Sequence, residues 1–301
     1  MHKKNNILVI VVTYNAMKWA KRCFDSLRTS TVPNDVFVVD NGSTDGTQDY
    51  IHKYYSEVQL VQSQTNLGFG RANNIGFQKV LDENYEYAYL LNQDAWVMPD
   101  TFEKLIEESR LHPDFAILSP MQLEANENNL DYNFITNVIG RNQFSAPFLS
   151  NDLYFGHMES IYEVRTVMAA HWLMSRKCIE TIGGFSPTFV HYGEDDNYMH
   201  RVAYWKMKAG IVTAAKAIHD REKRPLTNEK NYYINLYIIP LKESSDPNNP
   251  ISISKWYKDL IVNGLKKRHK IMFGYGLRLF REKKYISANL EASKEKCAFL
   301  K

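Results

Sequence analysis

Cysteine is scarce in this 301-residue chain: Cys23, Cys178 and Cys297 are the only three, and no two stand in a CxxC spacing. A zinc knuckle and a dithiol redox motif are thereby excluded, and scattered single thiols suit a reducing compartment. No apolar run approaches the ~18 residues that read as a membrane span. Met1-His2-Lys3-Lys4 followed by Ile7–Val12 has the outline of a signal peptide, but the apolar part is too short and runs into Thr13-Tyr14-Asn15 without a cleavage site. The expected location is the cytoplasm. Charge of one sign is not in large excess: 37 Lys and Arg face 34 Asp and Glu, a net +3. That balance argues against a whole-molecule polyanion binder, and no nucleic-acid partner is expected. The GxGxxG and GK[ST] spacings are also missing, which excludes a dinucleotide fingerprint and a P-loop. No internal repeat or low-complexity tract occurs.

What the chain does have is alternation. Ile7–Val12 is a β-branched run of the kind covered on both faces of a sheet. A helix follows, with Trp19, Cys23, Phe24 and Leu27 at helical spacing. Val36–Val39 predicts a second strand ending on Asp40, and Val58–Val61 a third. Between them, Asn41–Thr47 is a turn rich in helix N-cap residues, leading to a helix through Tyr50, Ile51 and Tyr54. Asn66–Asn74 holds Gly68, Gly70 and Arg71, where backbone could approach a ligand and a guanidinium could meet a phosphate. A helix runs on through Ile75, Val80 and Leu81. The buried run Tyr89-Leu90-Leu91 then leads through Asn92-Gln93 into Asp94. Asp100-Thr101-Phe102-Glu103 predicts a capping box for a helix to about Arg110. Strand and helix in turn give an α/β fold with a parallel sheet flanked by helices. Ligands in such sheets bind at the carboxyl ends of the strands, so Asp40 and Asp94 are expected along one cleft. Each acid could equally be a turn residue.

The pattern weakens from Met121 to Glu163, which is expected to be an irregular excursion over the site or a surface loop with a hairpin. Val164–Met174 predicts one strand carrying His171 and Trp172, and Ile211–Ala214 a last one, with His219-Asp220-Arg221 close behind. Between them lies the densest acid cluster, Glu194-Asp195-Asp196, at the start of a helix. From Ser252 onward Lys and Arg interleave with large apolar residues, including Lys266, Lys267, Arg268, Lys270, Leu265 and Ile271. Such a segment either lies on an anionic membrane or packs on the preceding domain with a solvated basic face.

Val11-Val12-Thr13-Tyr14-Asn15, Asp40 through Thr47, Asn66-Leu67-Gly68-Phe69, Asn92-Gln93-Asp94 and Gly183-Gly184-Phe185 through Glu194-Asp195 occur in this order. In that order they resemble the family 2 glycosyltransferases, which have the GT-A fold: a Rossmann-like, mostly parallel sheet flanked by helices. The subgroup most similar comprises bacterial rhamnosyltransferase-like enzymes of surface polysaccharide assembly. The resemblance implies inverting transfer from a nucleotide-sugar donor to a glycan or lipid-linked acceptor, with Mg²⁺ or Mn²⁺. It places Thr13 and Asn15 in the loop that meets the nucleotide, and Asp40 at the base or ribose. Arg71, Asn73, Asn74 and Asn92 fall near the nucleotide and its phosphates. Asp94 matches the last acid of the family's DxD metal motif; Asn92 replaces the first and leaves one fewer charge. His219 matches a position where some relatives place a metal-contacting His. Asp195 matches the acid taken as the catalytic base. His171, Trp172, Glu194 and Asp196 are expected to line the substrate pocket. The expected division is a GT-A catalytic domain over 1–225 and a helical basic extension over 226–301, the latter a candidate for peripheral contact with the inner face of a membrane. A nucleotidyltransferase would need a Gly-rich basic loop after the first strand, where Thr13-Tyr14-Asn15 stands instead. A non-catalytic relative that only binds sugar nucleotides stays open.

Overall fold

The computed structural model describes residues 5–139, 148–221 and 227–300. Nine strands of these residues form one sheet: β1 (Ile7–Thr13), β2 (Asp35–Asp40), β3 (Gln59–Gln62), β4 (Tyr87–Asn92), β5 (Ala95–Val97), β6 (Phe115–Leu123), β7 (Ile161–Val164), β8 (His171–Ser175) and β9 (Lys208–His219). Their order is β3-β2-β1-β4-β8-β6-β9-β5, and β7 also pairs with β9. β1 to β4 are mutually parallel. β8 runs antiparallel between β4 and β6, whereas β6 and β9 are parallel. β5 and β7 run antiparallel to β9. The carboxyl ends of β1, β2, β4 and β9 therefore share one edge.

The helices are α1 (Ala20–Arg28), α2 (Thr47–Tyr54), α3 (Phe69–Asp82), α4 (Thr101–Leu111), α5 (Tyr132–Phe134), α6 (Leu149–Phe155), α7 (Arg176–Ile182), α8 (Glu194–Tyr204), α9 (Asn228–Tyr233), α10 (Ile239–Ser244), α11 (Ile253–Lys266) and α12 (Lys270–Ala292), with π-helical turns over Ile135–Ile139 and Ile234–Ile238. Alternate residues of β1 enter two cores. Leu8 and Ile10 pack with Phe77 and Val80 of α3 and with Ile179 and Tyr198. Ile7, Val9 and Val11 pack with Phe24 and Leu27 of α1 and with Phe102 and Leu105 of α4. A strand buried on both faces must be apolar at both parities, which is why β1 reads as an unbroken run.

Several sequence-based expectations are corrected. The Val164–Met174 run divides into β7 and β8, joined by residues 165–170. The excursion from Met121 begins inside β6, whose Pro120 sits at a register shift against β9 and so removes no needed ladder bond there. Residues 140–147 of the excursion lie outside the described residues. The capping box at α4 does not form: Asp100 pairs with Lys104, 2.6 Å apart, and Glu103 accepts from Thr31. Gly70 and Arg71 lie in the first turn of α3.

The C-terminal helices pack against the rest of the fold. Leu279 and Ile286 of α12 join Phe189, Tyr237 and Leu241 in a third core. Asn289 donates to Thr188 (3.0 Å) and Tyr285 to the Pro187 carbonyl (3.0 Å). The chain end then crosses the turn after α7, where Gly184 N–H donates to the Ala298 carbonyl (2.8 Å). Buried Arg201 braces the same turn by donating to the carbonyls of Ile182 and Gly184. The expected boundary at 225/226 falls outside the described residues.

Gly183 has φ +86°, and a Cβ there would stand 2.0 Å from the Ala298 carbonyl oxygen. Gly183→Ala is expected to destabilise by about 1–3 kcal/mol and to expose the amides of residues 297–300 to hydrogen exchange. An unchanged melting temperature with unchanged protection would show that this end is not held by the turn.

Candidate active site

β4 ends at Asn92 and the chain turns through Gln93-Asp94 into β5. Asp94 thus sits two residues beyond the strand. Pairing of β5 with β9 sets Ala95 opposite His219, and Asp220 N–H donates to the Asp94 carbonyl at 2.8 Å. That register brings His219 Nε2 to 3.4 Å from Asp94 Oδ1 and 3.5 Å from Asn92 Nδ2. Burial raises the Asp94 carboxyl, but the hydrogen bond and charge of His219 outweigh it and hold the group below the ordinary carboxylate range. Gln93 closes the turn by accepting from Tyr14 N–H (2.7 Å) and donating back to the Tyr14 carbonyl.

The neighbouring strand ends make a rigid loop pair. Asp40 is fully buried. Its carboxylate accepts from Thr13 Oγ1 (2.7 Å), Gly42 N (3.1 Å), Ser43 N (2.8 Å), Ser43 Oγ and Gln48 Nε2. Burial pushes this group up, but the bonds from Ser43, Gln48 and Thr13 together bring it below its ordinary value. Asn15 occupies the left-handed region at φ +53°; Ser43 Oγ accepts from its N–H, and its own side chain accepts from Thr44 N–H.

The third component is the start of α8. Tyr192 and Gly193 have φ +68° and +89°, and this reversal leads into Glu194-Asp195-Asp196. The three acids have different surroundings. Asp196 is ion-paired with Lys242 of α10 and accepts from Thr166 (3.2 Å). Glu194 is buried, and its Oε2 has no hydrogen-bond partner among the described residues. Asp195 is half-buried and accepts from the N–H of Asp196 (2.9 Å). Burial first, then the neighbouring carboxylates (Asp195 and Asp196 for Glu194, Asp196 for Asp195), pushes both Glu194 and Asp195 above the ordinary range.

The site thus combines strand ends carrying an acid and an imidazole with a carboxylate cluster that opens a later helix. The sequence pattern described as Glycosyl transferase family 2 matches residues 8–182. The chain belongs to that family. It is 32% identical to glycosyltransferase GlyA of Streptococcus pneumoniae over 108 residues, 35% of this chain and 15% of that protein. To an undecaprenyl-phosphate mannosyltransferase of Micrococcus luteus it is 30% identical over 107 residues, 35% and 44% of the two chains. An N-acetylglucosaminyl-diphospho-decaprenol L-rhamnosyltransferase of Mycobacterium tuberculosis is 23% identical over 235 residues, 71% of this chain and 75% of that one. The chain therefore spans less than half of the first two relatives. Among solved structures, S. aureus TarS 1-349 in complex with UDP matches with TM-score 0.58 at 16% identity, over 96% of this chain and 89% of that one. The mannosyltransferase PcManGT of Pyrobaculum calidifontis, solved with GDP-Man and Mn²⁺, matches with TM-score 0.56 at 14% identity, over 97% and 74%. The fold is GT-A.

In this family 2 chain the expected site residues have unequal positions. Asn92, Asp94 and His219 come together. Asp195 stands half-buried at the start of α8. Asp40 does not offer a free oxygen to a nucleoside; its bonds position Thr13 and the 41–44 turn. Trp172 is no pocket wall: it is fully buried and stacked on Phe185, ring centres 6.1 Å apart. His171 is also fully buried, bonded to Tyr89 and to the Ile218 carbonyl, and burial lowers it to about 3. It is a neutral spacer behind His219. Asn73 bonds within its own helix, and Asn74 bridges both backbone groups of Phe185. Gly70 serves packing, since a Cβ there would meet Phe185 at 2.8 Å. Arg71 is exposed at the start of α3. Sequence reasoning passed over Gln93, Gln48 and Lys242, whose roles appear only as contacts. The Trp19–Asp220 bond (2.9 Å) is of the same kind.

Asp94 and His219 suit a divalent cation in part. Cis ligands at about 2.1 Å from an octahedral ion stand about 3 Å apart, close to their separation. His219 Nδ1, however, has no acceptor among the described residues, whereas a metal-bound imidazole ordinarily donates from its second nitrogen. Among the described residues no three His, Cys, Asp or Glu groups gather as a ligand cluster. Water and diphosphate oxygens would complete the shell, as is usual for Mg²⁺.

A buried acid with a raised folded-state value weakens the fold as pH climbs from its unfolded value to its folded one. Glu194→Gln removes that loss. Its melting temperature should equal the parent's near pH 4 and exceed it increasingly toward pH 8, by about 2–4 °C for each kcal/mol. A difference that stays constant with pH would show that Glu194 ionises freely in the folded protein.

Proposed function

We propose that the protein is a metal-assisted, inverting glycosyltransferase that moves a hexosyl or deoxyhexosyl group from a nucleotide-sugar donor to a hydroxyl of a glycan or lipid-linked acceptor in polysaccharide assembly. The observation that carries the reading is the Asp94–His219 pair at the carboxyl edge of the sheet, together with a half-buried Asp195 whose carboxyl is raised. The relatives' names speak for the same chemistry: they include a mannosyl- and a rhamnosyltransferase. A neighbour in fold was solved with a nucleotide sugar and Mn²⁺.

The loops at 13–15 and 41–44 would hold the nucleoside, and Asp40 keeps them in shape. Asp94 and His219 would hold Mg²⁺ or Mn²⁺, which when bound neutralises the charge growing on the diphosphate leaving group. Arg71, exposed beside the edge, adds a cation. Asp195 would accept the proton of the acceptor hydroxyl as the new C–O bond forms on the face opposite the leaving group, and that single displacement inverts the anomeric carbon. A base must be ionised, so a raised Asp195 places the acid limb of the pH–rate profile above the usual carboxylate range.

A peripheral membrane contact belongs to the same reading. The turn between α11 and α12 carries Lys266, Lys267, Arg268 and Lys270, and beside them Leu265 and Ile271 are exposed. Basic residues near an anionic bilayer add ~1 kcal/mol each. Among the described residues no helix is long and apolar enough to cross a membrane.

A panel of nucleotide sugars scored for nucleotide release with and without Mn²⁺ tests the function. One donor is expected to be turned over in a metal-stimulated way. Asp195→Asn should lower turnover with acceptor by about 10²–10⁴ and leave donor affinity within a few-fold. Asp94→Ala should remove the metal stimulation while remaining folded. Release that is indifferent to metal in the parent, or normal turnover by Asp195→Asn, would contradict the assignment.

A further inference from the structure

One cavity is lined by residues of α9 and α12 and by none at the strand edge. A groove of about 520 Å³ runs between α9 and α12, walled by Asn228, Glu229, Tyr232, Tyr275 and Arg278, with Gly274 among the lining residues. We infer that this groove is the subsite that holds the saccharide part of the acceptor. The inference rests on the glycosyltransferase reading and specifies the class of its second substrate.

Three observations carry it. First, the lining has the chemistry of a sugar. A pyranose presents flat C–H faces and a rim of hydroxyls. Tyr232 and Tyr275 offer ring faces, while Asn228, Glu229 and Arg278 offer an amide, a carboxylate and a guanidinium for the rim. Ile271 is the one aliphatic side chain in the lining, which is little for a polyprenyl tail. The volume is within the ordinary range for small-molecule sites. Second, the wall is stiff. The Arg278 guanidinium lies over Tyr237, 3.9 Å from the ring centre, and bonds to Glu282 (3.1 Å). Tyr275 packs with Tyr233 and Tyr237, ring centres 6.3 and 5.9 Å away.

Third, α9, which forms one wall of the groove, touches the segment that leads to the base. Tyr233, next to the groove residue Tyr232, donates to the His191 carbonyl at 3.4 Å. The Lys230 ammonium lies 4.7 Å from the centre of the Tyr192 ring. His191 and Tyr192 lead directly into Glu194-Asp195-Asp196. The nucleotide loops at 13–15 and 41–44 belong to other elements, at the ends of β1 and β2. An inverting displacement brings the acceptor in beside the base, opposite the leaving group, and α9, one wall of this groove, contacts the segment that leads to the base.

Gly274 allows a clean block. A Cβ built there meets no atom within 4 Å, so a side chain would extend into open space without displacing packing. Gly274→Trp should fill the groove, and Gly274→Ala should not. The test is binding of the 301-residue chain to an array of bacterial surface oligosaccharides, followed by calorimetry on the tightest soluble hit, with farnesyl phosphate as a lipid probe. The expected result is saccharide binding by the parent and by Gly274→Ala, and at least a tenfold loss in Gly274→Trp with an unchanged melting temperature. No saccharide binding by the parent overturns the inference, and so does equal binding by Gly274→Trp. Farnesyl phosphate captured in place of saccharide, and blocked by Gly274→Trp, overturns it in favour of a lipid groove. Nucleotide release by the parent is measured alongside. If release occurs and the array is blank, only the groove assignment fails; if no donor is turned over, the glycosyltransferase reading itself fails.

Discussion

His219 reaches Asp94 only because β9 and β5 pair residue for residue, with Ala95 opposite His219. The two segments are distant in sequence, and a slip of one residue in that ladder would turn His219 to the other face. The register is held from several sides. Asp220 N–H bonds the Asp94 carbonyl, Trp19 holds the Asp220 carboxylate, and Thr101 donates to the Lys216 carbonyl at 2.6 Å. Behind the pair, His171 supports the Ile218 carbonyl from the core. The acid and imidazole are thus fixed by the sheet itself, so little has to be ordered when a charged ligand arrives.

The acids at the start of α8 depend on a different part of the molecule. Lys242 neutralises Asp196, and Asn197 donates to the Ser245 carbonyl (2.9 Å), so α10 and the turn after it hold the start of α8 and take one of its three carboxylates into an ion pair. The C-terminal helices are therefore part of the electrostatics of the site. Their packing on Phe189, Thr188 and the turn after α7 supplies the rigidity that such a role needs.

β1, β2 and β4 were legible because buried parallel strands are apolar on both faces, whereas β3, Gln-Leu-Val-Gln at the sheet's margin, is largely exposed and shows only Leu60 and Val61 as a signal. The order of the motifs carried the family. What sequence could not supply was the direction and saturation of single side chains. Asp40 and Asp94 look alike as acids after apolar runs, yet one has its lone pairs filled by Thr13, Gln48 and the 42–43 turn, and the other faces an imidazole. His171 and Trp172 are adjacent on β8 and point to opposite faces, so both are lost to the two cores beside the sheet. β6 was obscured by Pro120, and the Val164–Met174 run by its internal loop. The basic tail showed its amphipathic pattern, but which partner covered the apolar stripe depended on Phe189 and Tyr237, which no local pattern marks.

In the proposed function, Asp94 anchors a metal-bound diphosphate at the strand edge. Anomalous diffraction at the manganese edge, from crystals grown with Mn²⁺ and a nucleoside diphosphate, tests it most directly. The expected result is a manganese peak within about 2.6 Å of the Asp94 carboxylate, shared with the diphosphate. A nucleotide bound with its manganese on other residues and Asp94 left unligated would contradict it.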